Sequence, residues 1–451
     1  MTEAARPAVT DRPGGEGAAQ RDHRSGDHRT LPSRVDELAE LRVEANRTFF
    51  AAEAARLAEL CHRMAERFAR GGRLLALGGS AQARSDARHV AVEFVHPVIV
   101  GKRALPALGL TAEGGPLGAQ LELAAEAGDM VMAFEGAEPE VAAIAATRAR
   151  GCLTIAFEPA GAEWQLEPEG NGIEGGHGPP SQPDDIEGGH RPPSQPPVVH
   201  PFVRQELVET AYHLLWELVH VFFDHRGLLE GRDSRPVHDS GASSFLYPFL
   251  GEAETGLEEV LADVRASVLM KAEETASLRA RTLGEGREVL AGAAQALRGR
   301  LDAGGRLLVL GNGGSATDAM DVAADMRSPP ASWPARRALD LTEDAAILTA
   351  IANDVGTEAL FSRQVIAHGR EHDSLLALST SGNSANVIHA LVEARRRKLH
   401  TVAMVGYDGG RVAAERLADH VVVTRSEHIP RIQEAQASAW HVLRELLEEA
   451  A

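Results

Sequence analysis

The sequence predicts an α/β protein built from two copies of one doubly wound unit. Each copy is a parallel sheet between two layers of helices, led in by a long helix. Three observations predict it. The first is a repeated helix: "RQELVETAYH" (Arg204–His213) and "RIQEAQASAWH" (Arg431–His441) each place a Gln eight residues before a His and follow the Gln with a Glu. Both run on into apolar helical patterns, "LLWELVHVFF" and "VLRELLEEA". The second is a repeated turn, apolar strand, glycine turn and helix: "GGRLLALGGSAQARSDARHVAVEF" (Gly71–Phe94) matches "GGRLLVLGNGGSATDAMDVAADM" (Gly304–Met326). The third is strand, turn, helix, strand, found in Ala127–Phe157 and again in Glu371–Val405. Continuous apolar strands alternating with helices belong in a parallel sheet covered on both faces.

In chain order, residues 1–32 are polar and low in hydrophobicity, the pattern of a disordered tail. The first unit spans 33–230 and opens with a long helical pattern, Ser33–Arg70. It lacks most of what lies between Leu339 and Gln364 in the second unit. Instead it carries an insert (170–198), "IEGGHGPPSQPDDIEGGHRPPSQPP", a tandem repeat with a period of thirteen residues from Ile173 to Ile186. Its Gly, Pro and polar content cannot pack a core, so it reads as a flexible loop, and the paired "GGH" as solvated linker rather than a metal site. Residues 231–250 form a linker. The second unit spans 251–451 and opens with a helical pattern over Gly251–Leu301.

With 451 residues, 44% of them hydrophobic, the chain can bury two cores; with aromatics at only 4%, small residues must do much of the packing. A formal charge of −19 argues against a nucleic-acid or membrane partner, since phosphates attract basic faces. The only cysteines, Cys61 and Cys152, lie in a helical and a strand-like run, which suits a reducing compartment better than a disulfide framework. Neither a signal-like apolar segment nor an 18-residue apolar run occurs, so a soluble, cytoplasmic protein is expected.

The second unit holds the sharper motifs. "GNGGS" (Gly311–Ser315) follows a strand and opens a helix, where glycines admit a ligand to unpaired N–H groups. "STSGNSANV" (Ser379–Val387) gathers four hydroxyls at the carboxyl end of a strand, a place where open α/β sheets bind ligands. An N-cap needs only one such residue, so the cluster points to a phosphate cradle. Asn353 and Asp354, closing "LTAIANDVG", are suited to polyol hydroxyls, and "VGYDGGRV" reads as a structural glycine turn.

Taken in order, GNGGSxxDA, IANDxGxxxLFSRQV, STSGNSxNV, DGG and RIQExxxxxxH resemble the sugar isomerase (SIS) domain. The set is similar to the phosphoheptose isomerases, which convert sedoheptulose 7-phosphate to D-glycero-D-manno-heptose 7-phosphate. The resemblance covers nearly all of 251–449 and, more weakly, 33–225. It implies two tandem SIS domains, each a flavodoxin-like three-layer α/β/α sandwich. It implies substrate groups at Asn312, Gly313, Gly314, Ser315, Asn353, Asp354, Ser379, Thr380, Ser381, Ser384 and Gln433. It also implies a divalent metal, usually zinc, held by a His and a Glu four apart on the helix after the glycine turn and by the Gln and His eight apart on the last helix.

In the first unit those metal positions are His89, Glu93, Gln205 and His213; in the second they are Asp321, Asp325, Gln433 and His441, a poorer set. The spacing of His89 and Glu93 puts both on one helix face. The first unit has lost the cradle instead: "FEGAEPEVA" (Phe134–Ala142) offers Glu135, Glu138 and Glu140, which repel a phosphate. Each unit therefore keeps what the other dropped. Residues eight apart on a helix lie roughly 12 Å apart along its axis, too far to share one ion without strain. A composite site across both units is expected, with no indication of which helix supplies which ligand. The chemistry would be aldose–ketose isomerisation through an enediol, with Glu93 as base and His213 or His441 as its acid partner. The family's tetramer of single domains implies a homodimer here, a pseudo-tetramer packed through the long helices. The rival reading is a non-catalytic SIS module that binds or senses sugar phosphates, which Asp321 and Asp325 favour.

Overall fold

The structure, a computed structural model, describes residues 30–98, 102–168, 200–225, 228–229, 256–330 and 332–449. The insert and the linker expected from sequence lie outside the described residues, as does the tail up to residue 29. The first half begins with α1 (Leu31–Ala69), capped by the Thr30 hydroxyl, which accepts the Ser33 N–H, and opened by a proline in its first turn. There follow β1 (Leu74–Gly78), α2 (Ala81–Val95), β2 (Ala107–Thr111), α3 (Leu117–Ala124), β3 (Met130–Ala133), α4 (Glu138–Ala149), β4 (Leu153–Ala156), β5 (Trp164–Gln165) and α5 (Pro201–Asp224). The second half repeats the plan. It has α6 (Leu257–Asp302), β6 (Leu307–Leu310), α7 (Gly314–Arg327), β7 (Ala338–Asp340), α8 (Ala345–Asp354), α9 (Leu360–His368), β8 (Ser374–Ser379), α10 (Ala385–Arg396), β9 (His400–Gly406), α11 (Gly410–Ala414), β10 (His420–Thr424) and α12 (Ile429–Glu449).

Among the described residues both sheets have five strands, ordered β2-β1-β3-β4-β5 and β7-β6-β8-β9-β10, and the pairings are parallel. Numbered within each half, both read 2-1-3-4-5, the flavodoxin-like doubly wound order whose ligand crevice lies at the carboxyl ends of the first and third strands. Leu74 pairs with Ala107 and Met130, and Leu307 with Ala338 and Ser374, so the two sheets are in equivalent register. The first half answers α8 and α9 with the single eight-residue α3.

The long helices are shared between the halves. Phe49, Phe50, Leu57, Leu60 and Met64 of α1 lie in the first-half core, whereas Val35, Leu38 and Ala39 lie in the second-half core. α6 does the reverse: Val260, Val264, Val268 and Ala272 join the first-half core, and Leu283, Leu290 and Leu297 the second. The apolar faces expected to hold a dimer together are thus buried largely within one chain, which explains their length. A charged seam crosses the same contact. Buried Arg42 bridges Glu206 at 2.9 Å and Glu445 at 2.6 Å, Arg279 donates to Asn46 Oδ1 at 2.8 Å, and Arg431 bridges Glu217 at 2.6 Å and Glu434 at 2.8 Å. Breaking one member would strand a buried charge, so the seam fixes how the halves sit together. Cys61 and Cys152 are buried free thiols. Among the described residues no helix is long and apolar enough to cross a membrane.

Candidate active site

The two Gln-to-His helices, α5 and α12, meet near α2 and α7 and build two related centres. In the histidine centre, His89 Nε2 of α2 lies 3.3 Å from His213 Nε2 of α5 and 3.9 Å from the Glu93 carboxylate. The fourth side chain comes from the other half: the Gln433 amide, on α12, is 3.4 Å from His89 Nε2. Tyr212 hydroxyl at 3.1 Å and Asp318 at 3.6 Å hold the Nδ1 side of His89. In the aspartate centre, Gln205 donates to Asp321 at 2.9 Å, Ser85 donates to the same carboxylate, and Asp325 accepts from the Trp440 indole at 2.8 Å. The His441 ring nitrogens face Glu206 at 2.9 Å and Asp325 at 3.6 Å, and the ring stacks on Phe202 at 4.5 Å.

The Glu after each Gln explains the repeated pair. Glu434 of α12 meets His213 Nδ1 at 3.0 Å, and Glu206 of α5 meets His441 Nδ1 at 2.9 Å. Each half's Gln and Glu reach the other half's centre. The set read from one helix therefore needs correcting: Gln205 belongs with Asp321, and Gln433 takes its place beside His89. His441 is also apart from Glu93, held in the aspartate centre. One helix's spacing cannot reveal this exchange, because it depends on how α5 and α12 cross.

The two centres differ in how far they are satisfied. Both Glu93 oxygens, Gln433 Oε1, Asp318 Oδ2 and Glu209 Oε1 are buried without a hydrogen-bond partner. Burial drives the His89 imidazolium well below its usual range, aided by His213, so its ring is neutral and offers a lone pair. Burial raises the Glu93 carboxyl to about 7, against the opposing effect of His213. In the aspartate centre burial alone would lower His441, but the Asp325 and Glu206 carboxylates overcome it and raise the imidazolium to about 9. There the ring is a cation between carboxylates, and the centre is closed by its own charges.

Gly314, the first residue of α7, joins the histidine centre to the second-half turn. A Cβ built on it would run into the Gln433 amide and stand 3.2 Å from His89 Nε2. Only glycine lets this backbone approach the centre so closely. Asn312 exchanges amide hydrogen bonds with Asn386 at 2.9 and 3.0 Å, and Gly313 adopts φ +58°. Across the crevice, β8 ends at Ser379, whose hydroxyl accepts the Gly382 N–H at 3.1 Å, while Ser381 accepts the Asn383 N–H at 3.2 Å. Ser384 is the N-cap of α10 but its hydroxyl makes no cap bond, which leaves it and the Ala385 and Asn386 N–H groups to face an anion, while the Val387 N–H donates to Asn386 Oδ1 at 2.9 Å. Thr380 is half-buried beside them. Ser315 is buried in the first turn of α7. Asn353 and Asp354 are not drawn into this group: both are exposed at the end of α8, with Asn353 donating to Asp354 at 2.8 Å.

The first-half counterpart is filled from within. In equivalent register, Ala133 matches Ala377, yet the helix N-cap comes four residues later at Ala137 and seven later at Ser384, a turn three residues shorter. Glu135 accepts the Ser80 hydroxyl at the start of α2, and buried Glu140 presses its carboxylate on Gly79. Carboxylates therefore occupy the helix N-terminus where an external anion would otherwise be favoured. Beside them a cavity of about 260 Å³, lined partly by Asp86, Glu135, Arg204 and Asp325, opens next to the aspartate centre.

Two parallel sheets of this order, each led in by a long helix and joined by Gln and Glu side chains exchanged between the halves, define a tandem doubly wound α/β protein. The SIS domain family matches residues 272–406. The phosphoheptose isomerase of Chlorobium phaeobacteroides is 44% identical over 164 residues, 36% of this chain and 72% of that protein. That of Rhodospirillum rubrum is 40% identical over 172 residues, 37% of this chain and 89% of that protein. The chain belongs to the SIS domain proteins, within the phosphoheptose isomerase family. Its tandem plan has a wider likeness: the C-terminal domain of glucosamine-fructose-6-phosphate aminotransferase from Francisella tularensis covers 95% of this chain and 97% of its own, at TM-score 0.52 and 10% identity, a likeness of fold alone.

The histidine centre suits the divalent metal the family implies. Two nitrogens about 2.0–2.1 Å from one tetrahedral ion stand roughly 3.3–3.4 Å apart, and the facing Nε2 atoms are 3.3 Å apart. His213, with Nδ1 on the Glu434 carboxylate, presents Nε2 as its lone pair, the usual outer arrangement of a metal-bound histidine. Amide oxygen and nitrogen are interchangeable assignments, so the Gln433 oxygen can face the same point.

Proposed function

We propose that the chain is an aldose–ketose isomerase acting on a sugar phosphate, with sedoheptulose 7-phosphate to D-glycero-D-manno-heptose 7-phosphate as the reaction, and with one working site made from both halves. The observation that carries the reading is the approach of Gly314 and Gln433, from the half with the hydroxyl-rich turn, to His89, from the half with Glu93. The Ser379–Ser384 turn and the start of α10 would take the phosphate, with Asn312 and Ser315 on the facing turn.

Glu93 is the base. It takes the proton from C1 of the ketose, the C1–H pair becomes the C1=C2 bond of an enediol, and the proton returns to C2. The hydroxyl proton moves from O1 to O2, leaving the aldose, so atoms balance. A zinc ion bound by His89 and His213, with Gln433 beside it, would polarise the two oxygens. His213 is then a ligand rather than the acid partner. Burial suits Glu93 to the task, because a carboxylate brought to about 7 can both accept and return a proton near neutrality. The test is incubation of the metal-replete chain with sedoheptulose 7-phosphate, following aldose product. Absence of product, with phosphate ligand bound, would reject the isomerase.

A second reading, a non-catalytic SIS module that binds or senses sugar phosphates, is favoured by the self-satisfied aspartate centre. Stoichiometric zinc separates the two, since such a module has no use for it. We also propose a cytoplasmic homodimer. The long helices no longer supply its contact, but α8 buries none of its residues, and Ile347, Val355 and Ile366 stay exposed around it. A single-chain mass by light scattering at micromolar concentration would reject the dimer.

A further inference from the structure

Glu209 has no counterpart in the second half. With Gln205 matched to Gln433 and His213 to His441, its partner position is Ala437. It sits one helical turn before His213, so both side chains leave the same face of α5. It is 5% exposed, and its Oε1 has no hydrogen-bond partner. His89, Glu209 and His213 each offer a ligand atom, all within 4.8 Å of one another. Glu93 is outside that group and lies 3.9 Å from His89 Nε2.

We infer that Glu209 is the anionic ligand of a divalent cation held with His89 and His213, and that Glu93 is thereby left uncoordinated as the base. The inference rests on the metal-assisted isomerase reading above and changes its division of labour. Two histidines and one glutamate make a three-ligand set with an open position, the arrangement of catalytic rather than structural zinc. Gln433, 3.4 Å from His89 Nε2, would stand at the edge of this set and give way to substrate oxygens. The spacing problem posed by Gln205 and His213, two turns apart, disappears: a residue one turn from His213 reaches the same point without strain. A base also bound to the cation would lose basicity, whereas an unbound Glu93 next to it keeps a lone pair for the C1 proton.

The test measures zinc affinity on the full chain, stripped with chelator and titrated against a chromophoric competitor. Wild type is expected to bind one zinc per chain. Glu209→Gln, nearly isosteric, should weaken binding by more than the ~10–100-fold that loss of an outer hydrogen-bond partner costs. Glu209→Asp should bind between the two, and Glu93→Gln should stay within about threefold of wild type, as expected for a side chain outside the ligand set. Thermal melts of the metal-free proteins check folding; should Glu209→Gln misfold, Glu209→Asp against Glu93→Gln gives the same comparison. Full affinity in Glu209→Gln overturns the inference, most directly if Glu93→Gln loses the metal. Wild type that binds no zinc overturns it together with the metal reading. Zinc lost in Glu209→Gln while wild type forms no aldose would leave Glu209 as the ligand and reject only the isomerase.

Discussion

Asp325→Asn and Glu93→Gln occupy equivalent positions on α7 and α2, yet the two centres predict opposite outcomes for them. Asp325 helps hold His441 as a cation. Its imidazolium is raised from an ordinary value near 6.5 to about 9, by Asp325 and Glu206 acting against burial. That gap corresponds to roughly 3 kcal/mol of folding free energy. With two carboxylates sharing it, removing one should cost about 1–2 kcal/mol, while the Asn oxygen still accepts the Trp440 N–H. The sign follows from the raised value. The contribution is whole below about pH 6.5, declines as pH rises and is gone above about 9, where the folded ring also loses its proton. Asp325→Asn should therefore lower Tm by roughly 2–6 °C at pH 6.5, and the difference should narrow toward zero at pH 10. Its kcat should stay within about threefold of wild type, because no acid–base role is lost. Glu93→Gln should show the reverse. Both Glu93 oxygens lack partners, so no hydrogen bond is lost and Tm should not fall. Turnover should drop about 10²–10⁴-fold with the loss of the base. The assays are scanning calorimetry at the two pH values and kcat for aldose formation. An inactive Asp325→Asn with unchanged Tm, beside an active Glu93→Gln, would place the chemistry at the aspartate centre. An equal Tm loss at both pH values would refute the charged His441.

Other substitutions test the joint and the cradle. Gly314→Ala should displace the Gln433 amide and crowd His89; overpacking of this kind costs about 1–3 kcal/mol, so zinc affinity and kcat should fall much further than Tm, and unchanged kinetics would mean the halves do not share the site. Ser384→Glu should raise KM at least about tenfold by placing a carboxylate where the phosphate docks. A carboxylate at a helix start is worth about 0.3–1 kcal/mol, so the same variant should melt no lower than wild type. Ser381→Ala should raise KM with kcat nearly kept, and an unaltered KM in both variants would remove the phosphate from this turn.

Much of the fold was legible because its signals are local. The glycine turns, the apolar strands and the Gln-to-His helices each declare themselves within about thirty residues, and matching them twice yields two parallel sheets. The expectation of a composite site comes from a deficit: one half lacks a cradle, the other a histidine and a glutamate. What spacing could not supply was the crossing of α5 and α12, and so the exchange of Gln205 for Gln433. It also missed Glu209. The sequence carries its signal, a carboxylate one turn before His213 where the second half has Ala437. The sequence shows Glu135 and Glu140 as carboxylates that repel a phosphate; the structure sets them against Ser80 and Gly79 at the start of α2.

The same geometry explains how the two centres can differ so far without loss of the fold. Each centre is an assembly of buried polar groups that must be satisfied by something. In the histidine centre both Glu93 oxygens and Glu209 Oε1 have no hydrogen-bond partner, and on the proposed function an ion and a substrate meet them. In the aspartate centre Asp321 is met by Gln205 and Ser85, and Asp325 by Trp440 and the His441 cation. In the first-half turn, Glu135 meets Ser80 at the start of α2. A half that satisfies its own polar groups adds stability but has nothing left to offer a ligand. A half that leaves them unmet gives up stability and gains chemistry. Because Gln433 and Glu434 reach into the histidine centre, and Gln205 and Glu206 into the aspartate centre, neither role can be performed by one half alone. On the proposed function, the quiet half is therefore a required wall of the working site.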